Sequence, residues 1–383
     1  MKSCLSPKVG KSFVLGLVML ALAGYASATL FRDGAVYNVG DQPDAVATAD
    51  FNNDGHLDLV VGSYTHGNNL AILLGNGDGT FAKPLYISVA PILPQSVAAG
   101  DFNNDGIADL VVAGTGLYVL VYLGNGDGTF DFASKYPASL SLSVAVADLN
   151  GDGALDIAVA NSGNATVQIL LGKGDGSFLR PALYTLPLPY STQHLVISDV
   201  NRDGYADVAV VLFCDPNLEN CPNGEVAVLL NHGDGTFRRP LTFDVGGGPI
   251  GIVATDLNHD GKTDLMVSNG DFGFPSTVSV LQGNGDGTFR KAVDYPAGQG
   301  PDGLAAADFD GDGMVDLVVS NANDNHLSLF HGCCNGKFQP AISYGVGGVV
   351  PSIAVGDFNE DGAPDLALAI LSGSSVQLLI NAH

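Results

Sequence analysis

Short apolar segments alternate with polar, glycine-rich breaks from about residue 30 to the end of the chain. Each cycle has the same internal order. A first apolar segment, such as residues 46–49 or 353–356, runs into an acidic loop, and a second follows the loop at once, as at 59–61, 110–112 and 157–159. After a polar loop comes a third, such as 70–74 or 226–230. It ends at a turn, Gly-Asn-Gly-Asp-Gly-Thr-Phe over 75–81. The turn recurs from residues 124, 172, 231 and 283 and, altered to Gly-Cys-Cys-Asn-Gly-Lys-Phe, from 332. A fourth segment closes the cycle near Tyr86, Tyr136, Tyr184, Phe243, Tyr295 or Tyr344. The segments are short, bounded by turn signals and without helical period, so they predict strands. Asp-Gly and Asn-Gly supply the positive φ angles that tight hairpins require.

The acidic loop, Asp-x-(Asn/Asp)-x-Asp-Gly-x-x-Asp, occurs seven times, starting at Asp50, Asp101, Asp148, Asp199, Asp256, Asp308 and Asp357. Four strands per unit and seven units predict an all-β fold, a seven-bladed β-propeller over residues 29–383. The seventh unit has its third segment at 376–380, and the chain reaches His383 without a turn or fourth strand. Residues 30–39 carry Phe31 and Tyr37 in the spacing that follows the Gly-rich turns. The N-terminal strand is therefore expected to complete the last blade and close the ring. Closure pairs an edge that would otherwise invite aggregation. An open solenoid is the alternative, and the complementary ends argue against it.

The loops read as metal sites. Ca²⁺ takes six to eight oxygens in flexible geometry. Positions 1, 3, 5 and 9 supply side-chain oxygens: Asp50, Asn52, Asp54 and Asp58; Asp101, Asn103, Asp105 and Asp109; Asp148, Asn150, Asp152 and Asp156; Asp199, Asn201, Asp203 and Asp207; Asp256, Asn258, Asp260 and Asp264; Asp308, Asp310, Asp312 and Asp316; Asp357, Asn359, Asp361 and Asp365. Position 7 would add its backbone carbonyl, which frees its side chain to vary: His56, Ile107, Ala154, Tyr205, Lys262, Met314 and Ala363. Gly at position 6 permits the sharp turn. Position 2 is always apolar and is expected to point into the blade. Up to seven Ca²⁺ ions are expected; Mg²⁺ fits less well, because it keeps its waters and demands strict octahedral geometry. The competing reading is that Asp and Asn merely build Asx turns. Seven loops, each with at least three carboxylates in nine residues, would then leave their repulsion uncompensated. The turn aspartates Asp78, Asp127, Asp175, Asp234 and Asp286 invite a second metal reading, but hairpin chemistry accounts for them.

Charge follows from the loops. The 383 residues include 40 Asp plus Glu against 15 Lys plus Arg, a net charge of −25. The ligand positions hold 22 of those 40 carboxylates, so the acidity sits in the loops rather than over the whole surface. Nucleic-acid binding needs a basic stripe, and the acidic balance argues against it. Apolar content of 46% argues against disorder.

These loops, repeated at blade spacing, resemble the FG-GAP/VCBS repeat family, the calcium-binding propeller repeats of integrin α-subunit heads and many secreted bacterial proteins. The resemblance covers residues 30–383. The Phe-Gly…Gly-Ala-Pro signature of the integrin version is not in register, since Gly362-Ala363-Pro364 lies inside the seventh acidic loop; the bacterial form is closer. The resemblance implies metal loops between the first and second strands of each blade, on the lower face. It also implies a role in adhesion or recognition, and some members are attached to carbohydrate-active enzymes.

Residues 1–28 read as a secretion signal: Lys2, Lys8 and Lys11, an apolar run over 13–23, then Ala26-Ser27-Ala28. A buried first helix is the alternative. The run is shorter than the ~20 residues that span a bilayer, and no later stretch reads as a membrane span. The expected location is extracellular or periplasmic, where disulfides persist. Cys214 and Cys221 share one Pro/Asn-rich loop that a bridge would close; Cys333 and Cys334 are adjacent, and the pairing stays open.

The face opposite the metal loops carries the most variable segments, and its Tyr64, Tyr190, Phe213, Phe272 and Phe274 are candidate contacts for a protein or glycan. The lack of Trp weakens a lectin reading. Catalysis finds little support. The histidines are scattered, with His66, His194 and His326 on separate blades, and no nucleophile elbow, His-rich zinc pattern or phosphate loop appears. The expected function is a secreted, Ca²⁺-binding recognition or adhesion module. The alternative is a polysaccharide lyase or other carbohydrate-active enzyme using the central channel, and a pure scaffold is the third reading.

Overall fold

The computed structural model describes residues 30–64, 69–187, 191–214, 224–270 and 273–382. The signal-like segment 1–28, His66, Tyr190, Cys221 and Phe272 lie outside the described residues. Seven antiparallel four-stranded sheets form the blades. The first comprises Pro43–Ala49, Asp58–Ser63, Asn69–Leu73 and Leu85–Ser88. The innermost strands that follow, Leu93–Gly100, Ser141–Ala147, Ser191–Ser198, Pro249–Thr255, Pro301–Ala307 and Ser352–Gly356, each contact the next, and the last contacts the first. The ring is closed. Among the described residues no helix is long and apolar enough to cross a membrane.

Burial explains the apolar runs. Second strands such as Asp58–Ser63 and Asp264–Asn269 are buried along their whole length, because a neighbouring blade covers each face. Outer strands such as Ala182–Thr185 are mostly exposed. The core is therefore divided between the blades. Phe51, Val60, Leu70 and Ile72 of the first blade, for example, pack with Val97, Leu110, Val112 and Leu120 of the second. Repeating a small interblade core lets one fold exceed the size at which a single core stops growing.

The expected closure is present. Phe31–Asn38 pairs antiparallel with Ser375–Asn381, from Phe31 opposite Asn381 to Asn38 opposite Ser375. Phe31 packs edge-on against Phe309 (5.5 Å) and Tyr344 (6.2 Å). Tyr37 packs on Phe81 at 5.8 Å, and its hydroxyl accepts the Phe81 N–H at 2.7 Å. The same clasp, outer-strand aromatic on the turn Phe of the next blade, joins Tyr136 to Phe178, Tyr184 to Phe237, Phe243 to Phe289 and Tyr295 to Phe338. Tyr86 departs from this scheme. In the first blade Ile87 stands opposite Leu70 and Tyr86 is 53% exposed. A one-residue offset in a strand sends a side chain to the other face.

At the end of the axis away from the acidic loops lies a cavity of about 120 Å³, lined by Asp44, Gln95, Gln193, His194 and Asp302 with Leu142 and Pro351. Burial pushes the Asp44 carboxyl up to about 6, against an opposing hydrogen bond from Gln95. An acid with a raised folded pKa holds its proton more tightly folded than unfolded. Stability is therefore lost as pH rises from the ordinary Asp value through about 6. Asp44→Asn should raise the melting temperature at pH 8 and leave it unchanged near pH 4, with a ceiling of about 3 kcal/mol. An equal effect at both pH values would contradict this.

Candidate metal-binding face

Each acidic loop joins the innermost strand of its blade to the second, so all seven lie on one face. Their backbones share one conformation. Position 6 is a glycine with positive φ in every loop, from Gly55 (89°) to Gly362 (89°). Position 4 is also left-handed in every loop: Gly151 and Gly311, but also Asn53, Asn104, Arg202, His259 and Glu360 at 56–63°. The side chain there varies while the backbone does not. A left-handed L-residue costs about 1–2 kcal/mol, so five loops hold this shape against a local penalty.

That shape gathers oxygens. The Asp50 carboxylate accepts the N–H groups of Asp54 (3.2 Å) and Gly55 (2.9 Å). Asn52 Oδ1 accepts the Asp54 N–H at 3.1 Å, and Asp54 Oδ1 accepts the His56 N–H at 2.9 Å. The same four bonds recur around Asp101, Asp256, Asp308 and Asp357. At Asp148 and Asp199 the first bond comes from position 4 instead. In the sixth loop one oxygen each of Asp308, Asp310 and Asp312 lies within 4.8 Å of the others. Backbone donors orient each carboxylate and leave lone pairs unused. An all-oxygen set of carboxylates and amide carbonyls fits a hard cation such as Ca²⁺, whose binding would offset the repulsion. In the sixth loop positions 1, 3 and 5 are thus brought together.

Position 9 has a second task that the motif did not reveal. Asp58 is buried; its Oδ2 accepts the Phe51 N–H at 2.8 Å and its Oδ1 the Gly75 N–H at 2.7 Å. Equivalent pairs hold Asp109, Asp156, Asp207, Asp316 and Asp365. Asp264 accepts from Gly283 and Leu257. Six of them therefore bolt an acidic loop to the Gly-rich turn of their own blade, and Asp365 bolts the seventh loop to Asn381 at the end of Ser375–Asn381. Desolvation pushes all seven carboxyls up to about 6. Asp58→Ala orphans two buried N–H groups at about 1–3 kcal/mol each. It should lower the unfolding free energy by about 2–5 kcal/mol in denaturant titration; a loss under about 1 kcal/mol would show that the bolt is dispensable.

The turns share this face and link blades. Gly79 donates to the Phe358 carbonyl of the seventh blade at 2.8 Å, Gly128 to Phe51 at 3.2 Å and Gly176 to Phe102 at 2.9 Å. Asn231, at the start of the fourth blade's turn, and Asn381, at the end of Ser375–Asn381, stand where the other five blades have Gly. Their Nδ2 groups donate to the Leu149 and Phe309 carbonyls, at 2.7 and 2.8 Å. His56 of the first loop contacts Glu360 of the seventh across the closure. The turn aspartates are structural: Asp78 Oδ1 accepts both the hydroxyl and the N–H of Thr80, which holds its carboxyl below the usual range. Asp127, Asp175, Asp234 and Asp286 do the same.

On the opposite face Tyr64, Phe213 and Phe274 are half-buried, and the Phe274 ring lies against Gly247. Cys214 is buried and disulfide-bonded; Cys221, which shares its loop in the sequence, is outside the described residues. Cys333 and Cys334 are thiols. His194 lines the axial cavity and His326 is exposed.

A family model described as FG-GAP-like repeat matches residues 50–112, 102–159, 148–210, 215–267, 268–319 and 308–368. BBS1N, crystallised in complex with ARL6DN, is 11% identical over 93% of this chain and 98% of its own, with a TM-score of 0.63. A putative 6-phosphogluconolactonase from Bacteroides uniformis is 15% identical, over 79% of this chain and 86% of its own, with a TM-score of 0.61. A protein from Lactobacillus plantarum is 17% identical, over 81% and 86%, with a TM-score of 0.60. At these identities the likeness is one of fold. No curated protein matches the chain.

Proposed function

The chain belongs to the FG-GAP-like repeat family, and we propose that it is a Ca²⁺-braced recognition propeller that works outside the cytoplasm. The observation that carries this reading is the sevenfold loop. The same left-handed bend recurs under varied side chains; in the first loop Asp50 and Asn52 oxygens converge on one N–H, and in the sixth three carboxylate oxygens lie within 4.8 Å of one another. Ca²⁺ in these loops would stiffen one face. The other face, with Tyr64, Phe213 and Phe274 among its loops, would then be presented to a protein or glycan. A chain of the same fold, BBS1N, was crystallised with a protein partner. The export reading rests on the order of residues 1–28.

The test is a glycan array and a panel of extracellular matrix proteins, probed with the chain in Ca²⁺ and again in chelator. Retention in Ca²⁺ that chelator abolishes is the expected result. Polysaccharide turnover, read as an unsaturated-uronate absorbance, would replace recognition with catalysis. Binding that ignores chelator would separate recognition from the metal.

A further inference from the structure

The sixth blade departs from its siblings at two positions that meet in space. Position 3 of its loop is Asp310, where the other six loops have Asn. The residue before its Gly-rich turn is His331, where the other blades have Leu74, Leu123, Leu171, Leu230, Gln282 and Ile380. Nδ1 of His331 lies 3.1 Å from Asp310 Oδ2 and 3.6 Å from Asp316 Oδ1. That nitrogen is fully shielded from water and makes no hydrogen bond. In five other loops the Asn amide donates to the position 5 carboxylate, as Asn52 does to Asp54 at 2.8 Å. Asp310 has no proton to give Asp312, and its Oδ2 faces the imidazole instead.

We propose that His331, Asp310 and Asp316 form a transition-metal site of the Zn²⁺ class behind the sixth acidic loop. Ligand atoms from all three side chains lie within 4.8 Å of one another. Zn–N and Zn–O bonds of about 2.0–2.2 Å at tetrahedral angles place neighbouring donors roughly 3.3–3.6 Å apart, close to the 3.1 and 3.6 Å that separate His331 Nδ1 from the two carboxylates. Imidazole suits Zn²⁺ and its first-row neighbours, whereas Ca²⁺ takes oxygen. A cation here would bind the shielded nitrogen, which makes no hydrogen bond, and hold the buried Asp316 ionised. It would leave Asp310 Oδ1, which accepts the Asp312 N–H at 3.1 Å, facing the outer loop. The site shares Asp310 and Asp316 with the sixth Ca²⁺ loop, and what sets it apart is a nitrogen that the other blades lack at this position.

The experiment is Zn²⁺ titration of the full chain in excess Ca²⁺, by competition with a chromogenic chelator. The parent should hold one tight Zn²⁺ equivalent that His331→Leu loses. Leu is the residue of the first four blades. If that variant fails to fold, His331→Gln, which repeats Gln282, makes the same comparison. A Cys333→Ser/Cys334→Ser double variant should keep the equivalent. Co²⁺ in the parent should give visible bands without a strong thiolate band in the near ultraviolet. Equal Zn²⁺ binding by the parent and the His331 variants would overturn the site, as would loss of the equivalent in the cysteine variant. Either failure leaves the Ca²⁺ response of the loops to be measured separately.

Discussion

Deleting residues 30–38 should unfold the propeller or drive it to aggregate. This strand is the outer strand of the seventh blade, and it also supplies two interblade clasps. Phe31 is 2% exposed between Phe309 and Tyr344, and truncating a buried Phe alone costs about 3–5 kcal/mol. Tyr37 holds the first blade's turn through ring contact and the Phe81 N–H. The two clasps together approach the 5–15 kcal/mol that typically separates a folded domain from its unfolded chain. The deletion also bares the backbone of Ser375–Asn381, a ready template for pairing between chains. Gel filtration and thermal melting read the outcome. Phe31→Ala is the milder companion, expected to fold with a loss of about 3–5 kcal/mol. A deleted chain that stays monomeric with an unchanged melting temperature would refute the closure.

Much of this architecture is legible in the sequence, and the reason is local. Each strand is short, and the acidic loops and Gly-Asn-Gly-Asp-Gly turns punctuate every cycle, so blade count and strand order follow from spacing. Even the closure is legible, because Phe31 and Tyr37 keep the six-residue interval of Phe178 and Tyr184. What escapes the sequence depends on contacts between distant segments. Asn231 reaches the Leu149 carbonyl 82 residues away, so it reads as a plain turn variant until the blades are assembled. Asp58 and its equivalents read only as metal ligands, since Gly75 comes beside them through the hairpin. Arg202 and Glu360 give no sign of their left-handed backbones, because the neighbouring bonds and not the side chains impose them. His331 looks like one more scattered histidine until Asp310 and Asp316 are seen to face it. Tyr86 shows the cost of trusting residue type: its neighbour Ile87 holds the inward position.

The central claim is that the seven loops are Ca²⁺ cradles, and withdrawal of Ca²⁺ should be the largest reversible change the protein shows. Extracellular modules bind Ca²⁺ with dissociation constants near ~10⁻⁴–10⁻³ M. A ligand at ten times its dissociation constant adds about 1.4 kcal/mol per site when only the folded state binds it. Seven filled loops would then add roughly 10 kcal/mol, enough to move the melting temperature by more than about 10 °C. Mg²⁺ at the same concentration should achieve little of this, because it keeps its waters and resists an irregular oxygen cage. The direct measurement is a set of melting curves on one preparation in chelator, in Mg²⁺ and in a rising series of Ca²⁺. The account predicts a large, saturable rise specific to Ca²⁺. One melting temperature shared by chelator and saturating Ca²⁺ would contradict it and return the loops to plain turns.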